Sequence, residues 1–233
     1  MLKENDDKDA FVRHGAVMGL VGCADGDSLK PFITDSSKAV RLGTLLALRR
    51  LKDAKIAAFL ADADPLIYAE AIRAIYDVPI LGAMPALAAE IKRFGAEAGK
   101  NTNMTGLLYS RILQANYRYG SVANAAALAD FAATSSASEE VRVNALEMLE
   151  KWEEPTEVDP VVGIYRPVPK RPTLGQDKNV ASALSRILKT NEGALSAKAG
   201  EMALPFGVPL DDSVLLAQLK NSLEEAETRL HDT

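Results

Sequence analysis

The sequence predicts an all-α fold built as a solenoid of stacked helix pairs, crossed by one extended, proline-rich strap. Three observations lead there. The stretch "VRHGAVMGL" at Val12 to Leu20 returns as "VRLGTLLAL" at Val40 to Leu48, 28 positions later (40 minus 12). The chain is 48% hydrophobic but only 6% aromatic and has no long Val/Ile/Thr runs, so its intrinsic preference is for helix over strand. Helix-start residues also recur just ahead of each apolar pattern, where a side-chain oxygen can accept from an unpaired backbone N–H.

The elements follow in chain order. Asp9, Ser37, Asp64 with Pro65 behind it, and Ser138 are the predicted caps. The helices they open begin at Val12-Arg13, Val40-Arg41, Ile67-Tyr68 and Val141-Arg142, and "LLYSRILQANY" from Leu108 fits as a further apolar helix. Shorter amphipathic stretches at Leu29–Ile33, Ala54–Leu60, Met84–Phe94 and Val122–Phe131 supply the first helix of each pair. A helix pair cannot bury its apolar face alone, so neighbouring pairs stack and share a core. Gly15, Gly19, Gly43, Ala47, Ala71 and Ala74 suit close approach between neighbouring helices.

After Trp152 the character changes. "EEPTEVDPVVGIYRPVPKRPTLGQ" holds five Pro and two Gly, which excludes a regular helix. Its apolar Val161, Val162, Ile164 and Val168 mark a packed strap rather than a solvated linker, with Tyr165 and Arg166 as the expected contact residues. Helical patterning resumes at Val180–Leu188, Ala194–Leu204 and from Ser213 to about Leu230. The expected organisation is therefore helix pairs over 1–152, strap over 153–176, and a helical continuation over 177–233.

A formal charge of −5 argues against nucleic acid as a partner, and no apolar run is long enough to insert into a membrane. Protein is the expected partner class. The single cysteine, Cys23, excludes a disulfide framework and any multi-cysteine metal site. His14 and His231 stand at opposite ends without a partner at ligand spacing. The Gly95 to Gly106 stretch "GAEAGKNTNMTG" follows a helix, lacks the hydroxyl beside its lysine, and reads as a long turn rather than a phosphate loop. No catalytic, metal or cofactor-binding residue is predicted. The acidic N-terminus, "MLKENDDKDAF", has no apolar core of a signal peptide and read alone implies a cytoplasmic protein.

The cap followed by Val-Arg and then by A-x-x-x-L spacing resembles HEAT repeats of the ARM-type α-solenoid superfamily. That resemblance implies that the repeat arginine pairs with acidic groups of a neighbouring repeat. Arg13, Arg41 and Arg142 match it, and Tyr68 departs, so the charge ladder is expected to break in mid-array. The order of "RHGAVMGL", "AVRLGTLLALRRL", "DADPLIYAEAIRAIYDVPI", "AMPALA" and "DPVVGIYRPVPKR" is similar to the HEAT region of multidomain dehydrogenase-like proteins of planctomycetes and verrucomicrobia. These join a β-propeller to HEAT repeats and a C-terminal c-type haem domain. The similarity implies an exported parent protein that passes electrons from a sugar or alcohol to haem c. Propeller and haem motif would flank this chain, so no catalytic or haem residue falls on it, and its implied part is a non-catalytic scaffold. The alternatives are a free-standing cytosolic HEAT adaptor with a peptide or protein on its concave face, and, from the enzyme class, a HEAT-like lyase or DNA glycosylase.

Overall fold

The computed structural model describes residues 1–97, 106–190 and 193–210, and among the described residues the fold is all-α apart from one minimal β-ladder. The helices are α1 (Leu2–Asn5), α2 (Ala10–Cys23), α3 (Gly26–Leu29), α4 (Lys38–Leu51), α5 (Pro65–Asp77), α6 (Met84–Ala89), α7 (Ile91–Glu97), α8 (Gly106–Tyr119), α9 (Val122–Thr134), α10 (Glu139–Glu150), α11 (Lys178–Leu188) and α12 (Gly193–Ala203). Between α10 and α11, β1 (Val158–Asp159) pairs antiparallel with β2 (Ile164–Tyr165). The helix expected from Ser213 and most of the glycine-lysine stretch lie outside the described residues.

The chain divides into two compact units, Met1–Glu90 with Leu107–Ala115, and Ile91–Gly106 with Asn116–Thr233. The change of composition at Trp152 thus falls inside the second unit. In the first, α4 packs between α2 and α5. Its core is Leu45, Leu48, Ile56, Phe59, Ile67, Ile72, Ile75 and Tyr76, all fully buried. Of the expected first helices, Leu29–Ile33 is the end of α3 followed by a 3₁₀ turn at Lys30–Phe32, and Ala54–Leu60 winds as a 3₁₀ stretch over Ala54–Ala61, whereas Met84–Phe94 is divided between α6 and α7 and Val122–Phe131 lies within α9. In a 3₁₀ helix residues three apart eclipse, and Ile56 and Phe59 accordingly turn inward together. These two 3₁₀ segments fall within the two short spacings, 28 (40 minus 12) and 27 (67 minus 40) positions.

In the second unit α9 packs on α10 and α11, and α12 on α10 and α11. Leu128, Ala132, Leu146, Leu184, Ile187 and Leu195 are its fully buried centre.

The capping expectations have four outcomes. Asp9 accepts from the amides of Phe11 and Val12, Ser37 from that of Val40, and Asp64 from those of Leu66 and Ile67. Ser138 occupies the N-cap position of α10 but its side chain makes no capping bond. Among the small residues, Ala47, Ala71 and Ala74 are fully buried, and a Cβ on Gly43 would lie 2.5 Å from Leu2 Cδ1, so α1 lies close against α4. Gly15 and Gly19 differ from expectation: a Cβ at either would meet nothing within 4 Å, because that side of α2 faces solvent.

Leu48→Ala is therefore expected to cost about 2–5 kcal/mol in denaturant melts, as removal of a buried leucine does. Gly19→Ala, on an open helical surface, is expected to stabilise by roughly 0.5–1 kcal/mol in the same assay.

Candidate functional site

Two polar constructions and one groove stand out among the described residues. The first construction begins at Arg41 on α4. Its Nε donates to Asp62 Oδ2 at 2.7 Å and its Nη2 to Asp62 Oδ1 at 3.3 Å, while Nη1 reaches the carbonyls of Asp35 and Ser36 at 2.9 and 3.3 Å. Asp62 is almost wholly buried, with a 6% exposed side chain, and its Oδ1 also accepts from the Asp64 amide at 2.8 Å. The hydrogen bond to Asp62 holds Arg41 above the ordinary guanidinium range against the opposing effect of burial. Lys38 Nζ, at the start of α4, lies 2.8 Å from Asp64 Oδ2.

Burial pushes the Asp64 carboxyl up, but Lys38 and the two capped amides outweigh it and hold the pKa below the usual aspartate value.

One repeat later the same relation appears with a different donor. Arg41 and Asp62 are 21 residues apart, and Tyr68 donates from its hydroxyl to Glu90 Oε2 at 2.7 Å, 22 residues on. The tyrosine thus reaches an acid at nearly the same separation through a neutral donor, where the sequence predicted a break in the charge ladder. Arg13 behaves differently: it pairs with Asp7, immediately before its own helix. Arg142 donates from Nε to the Ala132 carbonyl at 2.7 Å and is buried. On α8 Arg111 makes a two-pronged contact to Asp77, at 2.9 and 3.0 Å.

The second construction fastens the strap. Asp159, fully buried, accepts from the amides of Val161 and Val162, and its Oδ2 takes Arg166 Nη1 at 2.9 Å with Arg118 Nε 3.5 Å away. Arg118 also donates to the Arg166 carbonyl. Arg171 lies between two rings, its guanidinium carbon 4.5 Å from the centroid of Tyr117 and 4.6 Å from that of Trp152, and donates to the Tyr117 carbonyl at 2.7 Å. Burial pushes Arg171 down and Tyr117 up. Trp152 Nε1 closes the clasp on the Pro172 carbonyl at 3.1 Å. Of the two strap residues expected to make contacts, Arg166 is in this clasp, while the Tyr165 side chain is directed mainly to solvent at 68% exposure. The sequence assigns no role to Asp159 or Arg118, and it reads the short basic pair Lys170-Arg171 as a solvated loop, whereas Arg171 is held in the clasp. The Asp-Pro opening the strap and an arginine seven residues on were the available signals.

The groove belongs to the first unit. A cavity of about 670 Å³ is lined by Ala10, Arg13, His14 and Val17 of α2, Leu46, Arg49 and Arg50 of α4, and Val78. Helical spacing sets it up: positions 10, 13, 14 and 17 share one face of α2, and 46, 49 and 50 one face of α4. Arg49 Nη1 donates to Glu70 at 3.0 Å.

Among the described residues no helix is long and apolar enough to cross a membrane, and no group of three or more His, Cys, Asp or Glu is placed to hold a metal ion. Comparison with protein families, curated proteins and solved structures finds no match to this chain.

Removing one partner of a buried ion pair strands the other, so Asp62→Ala is expected to cost about 3 kcal/mol in chemical denaturation. Asp7→Ala, at a more exposed pair, is expected to cost less than about 1 kcal/mol. Because the folded Asp64 pKa is lowered, its contribution is present above the ordinary aspartate value and is lost as pH falls through the folded one. Asp64→Asn keeps a capping oxygen but cannot titrate. The stability gap between wild type and Asp64→Asn, measured by thermal melts from neutral to acid pH, is therefore expected to shrink as pH drops below the ordinary aspartate range.

Proposed function

We propose that the chain is a non-catalytic HEAT-repeat scaffold, an α-solenoid segment whose work is to hold other protein domains. The observation that carries the reading is the recurrence of one bonding relation. Two successive helices, those capped by Ser37 and Asp64, reach an acid 21 or 22 residues ahead, first as Arg41 to Asp62 and then as Tyr68 to Glu90. Such nearest-neighbour bonds suit a stack in which each unit contacts only the next. Capped starts at Asp9, Ser37 and Asp64 support the same register.

The parent, on the resemblance of its ordered motifs, is a large exported dehydrogenase-like protein with a propeller ahead of this region and a c-type haem domain after it. This segment would then dock the two, and would itself hold no cofactor. The clasped "DPVVGIYRPVPKR" strap supports that reading over a simple linker, because a buried Asp159 with two arginines fixes the path of the chain between helices. The alternative is a self-contained cytosolic adaptor that binds a peptide or protein on its concave face.

The native protein captured with an antibody to this segment separates the two. A species far larger than 25.0 kDa with a Soret band is expected; a haem-free species of 25.0 kDa would establish the adaptor instead.

A further inference from the structure

The groove between α2 and α4 is chemically at odds with the chain that carries it. The protein has a formal charge of −5, yet the charged side chains lining this groove are Arg13, Arg49 and Arg50, joined by His14, with no carboxylate among them. Arg13 and Arg49 are each held from outside the groove, by Asp7 and by Glu70. Each spends one guanidinium nitrogen on that bond, which leaves the remaining donors of an already oriented fork. Among the described residues the side chains of Arg50 and His14 have no hydrogen-bond or ion-pair partner, and both residues are exposed.

Below the cations the floor is aliphatic, with Ala10, Val17, Leu46 and Val78. The apolar surface continues past the rim: Phe11 is 90% exposed and Met18 43%. With His14 between them they form an i, i+3, i+7 stripe along α2.

From this arrangement we propose that the α2–α4 groove binds an acidic peptide segment of a protein partner, with carboxylates on Arg13, Arg49 and Arg50 and an aliphatic side chain on the floor. The proposal rests on the scaffold reading and names the chemistry of what that scaffold holds. Charge complementarity selects the sign of the occupant, and preorientation of two guanidinium groups lowers the cost of binding it. A polyanion such as DNA fits less well. It needs cations spaced along a continuous track, whereas Asp7 and Glu70 stand just behind the rim arginines and an apolar floor offers nothing to a phosphate backbone.

The test uses the full 233-residue chain and a fluorescein-labelled peptide of mixed glutamate and leucine, read by anisotropy at low and physiological salt. A twin peptide with glutamine for glutamate and a random-sequence DNA duplex serve as competitors. The glutamate peptide is expected to bind, to weaken with salt, and to exceed its glutamine twin by about tenfold. Arg50→Glu is expected to weaken it by about tenfold or more, and Phe11→Ser by about fivefold, each with an unchanged melting temperature because both side chains are exposed. No binding at low salt would overturn the proposal. So would equal affinity for Arg50→Glu and wild type, or displacement by DNA at lower concentration than by the glutamate peptide. The assay reads the groove alone, so its failure is distinct from a failure of the scaffold reading, which the mass and spectrum of the native protein decide.

Discussion

The first unit depends on the satisfaction of Arg41. A guanidinium only 18% exposed is tolerable because its donors meet the Asp62 carboxylate and two backbone carbonyls. Those partners lie on segments flanking α4 on both sides in sequence. Asp62 then passes the constraint onward, since the oxygen that accepts from Arg41 also accepts from the Asp64 amide. Asp64 starts α5 and reaches back to Lys38 at the start of α4. Two helix starts are thereby locked to one another by a closed polar circuit. The fully buried Leu45, Leu48, Ile67 and Ile75 belong to the two helices that this circuit joins.

The second unit uses the same logic for a segment without regular structure. Proline removes backbone donors and prevents helix in the strap, so its path is fixed by side chains. Asp159 folds a tight turn over itself by accepting from two following amides, and Gly163, at a positive φ of 68°, closes the turn by donating to the Asp159 carbonyl at 2.8 Å. The second carboxylate oxygen holds Arg166. Further along, Arg171 combines one hydrogen bond, to the Tyr117 carbonyl, with the ring faces of Tyr117 and Trp152, and this cation–π contact offsets part of the penalty that burial places on the guanidinium.

Helix positions were legible in the sequence because they rest on local chemistry. A capping oxygen and a 3.6-residue period are written within a dozen residues, so α2, α4, α5, α9, α10, α11 and α12 could be placed from Asp9, Ser37, Asp64 and the apolar spacing. The first helices of the pairs were less so: Ala54–Ala61 has the composition of an α-helix and an aspartate cap like those of α2 and α5, yet it winds as 3₁₀ with Ile56 and Phe59 buried together. The clasp was hidden because Arg118 and Asp159 meet across more than forty residues, and no local pattern records such a meeting. Tyr68 shows the limit from the other side. A departure from the expected arginine looked like a break in the ladder, yet a phenol hydroxyl also donates, and it reaches Glu90 at nearly the same separation.

The groove carries this reasoning one step further. α4 and α5 bury their apolar faces, whereas α2, with a comparably apolar sequence, buries only Val17. Leaving Phe11 at 90% exposure forgoes the roughly 1.5–3 kcal/mol that burying such a side chain contributes. Gly15 and Gly19 forgo a further fraction of helix stability on the same surface. A helix kept in place by its cap, by Val17 and by its contacts with α4 while its remaining apolar surface stays open has unused binding free energy. Covering that surface would release this free energy to whatever covers it, and the cations of Arg13, Arg49 and Arg50 beside it restrict which chemistry can do so. The same α2 face therefore sets both the weak point of the unit's stability and the strength of its attachment to an acidic partner.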